Sequence, residues 1–431
     1  MSQTFHALRV RNYRIYAAGS LVSNTGTWMQ RVAQDWLVLQ LTGSPAALGI
    51  TTGLQFLPML LFSMWGGVLA ERYPKRRVLI CTQGFSAATA AVLGSLVLTG
   101  TVATWHVFLL AFLLGVGTAI DGPARQSFVI EMVGRDDVPN AVGLNSASFN
   151  VARIIGPSVA GFLIVAFGDN TGPVFLLNAA SYAAVIFALT RMDVDQLRPA
   201  PVIERGRGQL REGVRYVLAR RELRCVLAIV FFAGTFGLNY QMTTALMATE
   251  VYHKGADAYG LLGSILAVGS LSGALLSARR GAPHLRLIVL AGLAFGTLTT
   301  TAGLMPTYWF FAASLVPVGL CALTLITSAN ALMQLGVEGT MRGRVMALYM
   351  MMFMGGTAFG APLIGLLAEL FGARWSLIGG GAIVLVGTAG SALVLGRRRG
   401  MGPGDARRNR RAQSIPEEIE DNRISDVAQR S

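Results

Sequence analysis

Apolar runs of bilayer length follow one another along nearly the whole chain, broken by short polar stretches. They cover residues 15–40, 46–70, 78–99, 104–124, 138–167, 172–191, 225–249, 258–278, 287–304, 308–334, 343–371 and 375–396. A hydrocarbon core about 30 Å thick takes ~20 residues of helix to cross. Lipid offers no water to stray backbone groups, so each run is expected as a helix. The pattern predicts an all-α integral membrane protein with twelve transmembrane helices.

The polar breaks alternate in charge. One set holds Arg9, Arg11 and Arg14, Arg72 to Arg77, Arg125 and Arg135, Arg191 to Arg224, Arg279 to Arg286, Arg342 and Arg344, and Arg397 to Arg399. The other set holds little more than Lys254 and Arg374. Basic loops face the cytoplasm, so both termini are expected there. The longest break, 193–224, separates two six-helix bundles, 1–192 and 225–396. Within it, Leu210, Val214, Val217 and Leu218 recur at helical spacing among Arg211, Arg215, Arg220 and Arg221. That predicts an amphipathic helix on the inner membrane surface. The tail, 397–431, turns polar and mixed in charge, and disorder is expected there.

The bundles repeat one another. At an offset of 204 residues Asn140 to Leu144 overlays Arg344 to Leu348, and Gly156 and Gly161 fall on Gly360 and Gly365. Two similar six-helix bundles with a cavity between them follow from a repeat of this size.

Composition closes off other classes. Of 431 residues 53% are hydrophobic and 13% charged, against ~25% charged in soluble domains. The net charge of +14 lies in alternate loops rather than on one aromatic-studded face, so no nucleic-acid partner is expected. Cys81, Cys225 and Cys321 sit inside apolar runs without ligand spacing, against disulfides and metal. His6, His106, His253 and His284 are dispersed, which argues against a membrane enzyme. No Gly-x-x-x-x-Gly-Lys-Ser/Thr run points to ATP, and no cofactor is expected. The first 14 residues are polar and basic with no cleavage pattern after them, so no signal peptide is expected.

Three motifs carry a resemblance. Gly66-Gly67-Val68-Leu69-Ala70-Glu71-Arg72-Tyr73-Pro74-Lys75-Arg76-Arg77 is similar to the loop between spans two and three of the major facilitator superfamily. Glu71 stands where that family usually has Asp, and Pro74 where it has Gly. Its plainer reading is an ordinary positive-inside loop. Ala152, Gly156, Pro157 and Gly161 in the fifth run resemble the superfamily's antiporter motif, which is associated with exporters. A flat face of small residues for close helix packing explains them equally. Asp121-Gly122-Pro123-Ala124-Arg125, with Glu131 after it, resembles a bacterial exporter subgroup that includes the enterobactin exporter and macrolide-efflux relatives. The resemblance implies a cytoplasmic gate at Gly67, Glu71, Arg72, Arg76, Asp121, Arg125, Glu131, Arg342 and Arg344. Solvated loop pairs, each worth ~0–1 kcal/mol, are the alternative.

The first run is not a plain apolar one. Arg31 and Asp35 stand four residues apart and share a helix face. An ionised group near mid-bilayer costs about 2.5–3.5 kcal/mol, so it calls for a reason. Asn24 and Trp28 continue the polar stripe through Gln34, and Arg153 adds a cation in the fifth run. A structural ion pair is one reading; proton coupling through Asp35, Arg31 and Arg153 is the other. Asn145, Asn239 and Gln241 supply scattered amides in an otherwise apolar cavity, which suits an amphipathic substrate.

Together these imply a monomeric major facilitator protein of the bacterial inner membrane, in contact with lipid, protons and a small-molecule substrate. It is expected to export amphipathic molecules by proton antiport with alternating access. A uniporter or importer of the same fold is the alternative.

The charge alternation is directly testable. A reporter fused after Arg398 should be active only in its cytoplasmic form, and one inserted at Asp169-Asn170 only in its external form. Exchanged activities would contradict the twelve-span topology.

Overall fold

Residues 3–134, 137–197, 209–279 and 283–397 are described by the computed structural model; a few side chains within helices, Glu71's included, lie outside the described residues. The first half is built from α1 (Arg11–Thr42), α2 (Pro45–Arg72), α3 (Lys75–Leu98), α4 (Thr104–Val133), α5 (Val138–Ala166) and α6 (Gly172–Thr190). The connecting helix α7 (Gln209–Ala219) precedes α8 (Arg221–Phe232) and α9 (Tyr240–Leu246), then α10 (Ala256–Arg279), α11 (Leu285–Gly303), α12 (Tyr308–Leu335), α13 (Gly339–Phe371) and α14 (Arg374–Arg397). Among the described residues 11 helical segments are long and apolar enough to cross a membrane, with Arg221–Val251 counting as one. The missing crossing is α1. At 32 residues it is long enough, but its polar stripe lowers its hydropathy, and it packs lengthwise on α5 and α6. The expected tail from 398 onward, and its disorder, lie outside the described residues.

Local chemistry sets the ends. Gly43 closes α1 in a left-handed conformation (φ 59°), and Ser44 then accepts from the Ala47 amide at 3.1 Å to cap α2. Pro45, which needs no donor, takes the first helical position. The crossing α8–α9 is interrupted: the Leu238 amide bonds the Ala233 carbonyl five residues back at 2.9 Å, leaving Asn239 outside the regular ladder. Wider turns of this kind favour functional sites. The amphipathic α7 turns its apolar side to the protein: Val217 is buried, and Gly213 lies against the backbone of Arg344 in α13. The basic end of the second bundle offers Val217 an apolar wall.

The two halves meet along two seams, α2 with α13 and α5 with α10. Both use missing side chains. A Cβ on Gly260 would press on the Pro157 carbonyl, and one on Gly161 on Ala256. In the mirrored seam Gly53 faces Ala358 and Pro362, and Gly365 faces Pro45 and Gly49. Such surfaces let backbones approach closely, which lipid-embedded helices need because lipid competes for apolar contact. The seams are tight toward the non-basic side and reach mid-depth at Leu60–Gly355 and Ile154–Ser264. Toward the basic side the halves part: Gly143 in α5 and Gly343 in α13 face open space.

Gly260→Val adds bulk against a backbone carbonyl that has nowhere to go. Overpacking of this kind costs about 1–3 kcal/mol. The variant should melt at lower temperature in detergent, whereas Gly143→Val, in open space, should melt like the parent.

Candidate transport site

Asp35 lies in α1, seven residues short of its end at Thr42, so it is nearer the non-basic face than the mid-bilayer depth expected from its run. It is 3% exposed. Its Oδ2 accepts a 2.7 Å hydrogen bond from the hydroxyl of Tyr259, one turn into α10 of the other half. The amide of Gln241, at the start of α9, also reaches this carboxylate. Three helices from both bundles therefore converge on one acid. The i, i+4 ion pair expected with Arg31 does not form: the guanidinium stacks over Trp28 instead, 4.8 Å from the ring centroid. Gln34 is buried beside Asp35 in sequence, with its Nε2 unpartnered.

A second cluster lines the contact of α1 with α5. Trp28 meets Phe149 edge-on at 5.7 Å, and a Cβ on Gly156 would collide with Trp28. Ala152 is fully buried. Pro157 and Gly161 face α10, where the Ser158 and Ser264 hydroxyls meet at 2.7 Å and Ser264 also donates to the Ile154 carbonyl. The antiporter-type motif thus serves two neighbours, α1 on one side and the opposite bundle on the other. Arg153, between them, has Nε and Nη2 buried without a partner. Asn239 donates to the Thr235 carbonyl at 2.8 Å while its Oδ1 is buried and unpartnered. Asn24 is half-buried in α1, and Asn145 half-buried toward the basic end of α5.

The expected gate residues that pair do so within the first half or with the connecting helix. Asp121 accepts from Thr82 (2.9 Å), Gln83 (2.8 Å) and Arg125 (2.9 Å). Glu131 pairs with Lys75 at 2.5 Å, and Arg76 donates to the Leu189 carbonyl at the end of α6. Arg344 pairs with Glu212 of α7 at 2.6 Å, Arg72 and Arg342 are exposed, and Gly67 is buried. Glu71's side chain lies outside the described residues. Its neighbour Gly66 lets α2 approach Ala119 of α4.

Two functional candidates escaped the sequence. Tyr259 looked like one aromatic among many in an apolar run. Glu369, near the end of α13, accepts from Ser44 Oγ at 2.6 Å and from the Ala46 amide at 3.0 Å, so a carboxylate of one bundle caps a helix of the other. An isolated acid inside the run 343–371 was a signal that could have found it.

The geometry is that of two helical bundles joined by buried polar contacts, and it matches known proteins. The profile of the transmembrane secretion effector family matches residues 2–420. The chain belongs to that family, within the major facilitator superfamily. It is 23% identical to the staphyloferrin A transporter of Staphylococcus aureus over 83% of this chain and 90% of that protein. With macrolide efflux protein A of Streptococcus pyogenes it shares 23% identity over 89% of this chain and 96% of that one. The multidrug efflux pump Tap of Mycolicibacterium fortuitum is 27% identical over 81% and 86%. Among solved structures, a bacterial homologue of the human lysosomal transporter Spinster, inward-facing and unoccupied, superposes with a TM-score of 0.71 at 14% identity. That match covers 92% of this chain and 98% of the other. The protein is a multi-pass transporter of a bacterial membrane, and its sequence relatives are efflux and siderophore transporters.

Tyr259→Phe leaves Asp35 buried without its donor. A hydrogen bond to a charged group contributes about 1.5–3 kcal/mol, so the closed seam should lose tenfold or more in population. In a background lacking the native cysteines, Ala46→Cys should label with an impermeant maleimide at least tenfold faster when Tyr259→Phe is added. An unchanged rate would place the seam's stability elsewhere.

Proposed function

We propose that this transporter exports amphipathic small molecules in exchange for protons, by alternating exposure of a cavity between its two bundles. The observation that carries this reading is Asp35, a buried carboxylate bonded to Tyr259 of the opposite bundle. An antiporter needs a group whose proton affinity differs between its two open states. A carboxyl loses affinity for its proton when donors and cations approach, and gains it when they leave in a dry setting. Asp35 has such a partner only while the seam is closed, and the seam joins bodies that can part.

Sidedness follows from charge. With the basic loops cytoplasmic, the parted ends open inward and the closed seams face outward. Substrate would then enter from the cytoplasm, as export requires. Its amphipathic character is supported by the mixture on α1, α5 and the α8–α9 break, which would face the proposed cavity: Trp28 and Phe149 with a few amides, Gln34, Asn239 and Gln241. Sugars would call for many more polar partners. The relatives that move macrolides and a siderophore support the same direction and breadth.

Asp35→Asn imitates the protonated acid in every state. In everted vesicles it should keep substrate binding and part of downhill exchange, yet lose uphill accumulation driven by a pH gradient. Full accumulation with normal proton movement would make Asp35 structural. Accumulation of the substrate against its gradient only in right-side-out vesicles would instead mark an importer.

A further inference from the structure

A groove of about 1480 Å³ opens at the basic end of the second bundle, far from Asp35. It is bounded by the junction of α7 and α8 and by the basic ends of α11, α12 and α14. Its rim carries Arg220, Arg221 and Arg286, together with His284 and one acid, Glu222. Arg220 is already committed: it bonds Glu338 at 2.7 Å and lies 3.9 Å over the Tyr216 ring. Arg221 and Arg286 are exposed and make no ion pair among the described residues. Beneath the rim the walls are apolar, from Leu223, Leu285, Val289, Leu332 and Leu395. Leu290 and Leu335 flank the groove with 64% and 68% of their surface outside the protein, on the flank where the bundle meets acyl chains.

The order of these layers matches one molecule. Uncommitted cations sit at the height of lipid headgroups, and an apolar trough leads from them toward the membrane core. We propose that this groove binds an anionic phospholipid of the leaflet on the basic side. Its phosphate lies between Arg221 and Arg286, and its acyl chains run along Leu290, Leu335 and Leu395. Arg suits this task because its planar fork grips phosphate oxygens in pairs. Basic pockets between transmembrane helices bind acidic headgroups, each Arg near the surface adding about fivefold in affinity. A bound lipid would hold α11, α12 and α14 against α8, which follows α7, and α7 in turn grips α13 through Glu212 and Arg344.

The test uses the full-length protein, delipidated in neutral detergent and offered phosphatidylglycerol or phosphatidylcholine of matched chains, with adducts counted by native mass spectrometry. Phosphatidylglycerol should be retained more than tenfold better. The double variant Arg221→Gln and Arg286→Gln should bring it down to the phosphatidylcholine level, a drop of about fivefold per arginine. Leu290→Trp, which leaves the charges untouched, should weaken both lipids together by obstructing the tails. Equal retention of the two lipids by the parent protein would overturn the proposal, and so would a double variant that keeps its preference. Displacement by glycerol phosphate as effective as by the whole lipid would reduce the groove to a simple anion site and refute the lipid assignment.

Discussion

Everything in this fold accommodates one carboxylate that has been taken out of water at the boundary between two bodies. Burying an acid is costly unless donors surround it, and Asp35 draws them from α10 and α9, across the boundary, rather than from its own helix alone. The stability of the closed seam and the comfort of the charge are therefore one quantity. Parting the bundles strips the acid of Tyr259, and adding a proton removes most of the need for it. A coupling of this kind is reciprocal: whatever lowers the cost of protonating Asp35 also favours separation, and by the same factor.

Glycine makes the boundary sharp. Where Gly260 and Gly161 meet Pro157 and Ala256, and where Gly49, Gly53 and Gly365 meet α13 and α2, glycine leaves the opposing backbone in direct reach. Such surfaces fit in one register and do not deform gradually. Both seams continue to mid-depth, so under the proposed alternating exposure they would serve as a fulcrum, closure at one end going with separation at the other. Polar pins supplement them on the non-basic side: Glu369 at the start of α2, Ser158 with Ser264, and Asp35 with Tyr259. Each is one or two hydrogen bonds between the bodies.

The crossings were legible because each is a long apolar run, and hydrocarbon permits little but helix there. The first run was legible as a site for the opposite reason: Arg31 and Asp35 violate its pattern. Partnerships were not legible. Spacing placed Asp35 with Arg31 on one face, but a helix face says nothing about what a second bundle brings to it, and Tyr259 is 224 positions away. The gate acids show the same limit. Arg125, Arg342 and Arg344 were all open to Asp121 and Glu131 as partners; Arg125, one turn away, takes Asp121, and Lys75, which opens the neighbouring helix, takes Glu131. The break at Asn239 left no Pro or charge to announce it, only Gly234 and Gly237, which the wide turn uses to pack on Phe353 and Phe295.

Two cations and one acid do not cancel in this arrangement. Asp35 is engaged by Tyr259 while Arg31 rests on the Trp28 ring and Arg153 holds two buried donors with no acceptor. An aromatic face is a weaker partner than a carboxylate, and it leaves the donors of Arg31 open to competition. Arg31 lies one turn from Asp35 on the same helix, close enough to replace Tyr259 if the bundles part as proposed. The acid would then exchange a neutral donor for a cation, and the two surroundings would stabilise its charge to different degrees. The proposed antiport requires such a difference of a single residue. Arg153, on α5, keeps two buried donors without an acceptor while Gly156, three residues on, packs on Trp28 of α1, so any acceptor for Arg153 has to come from a change at this contact.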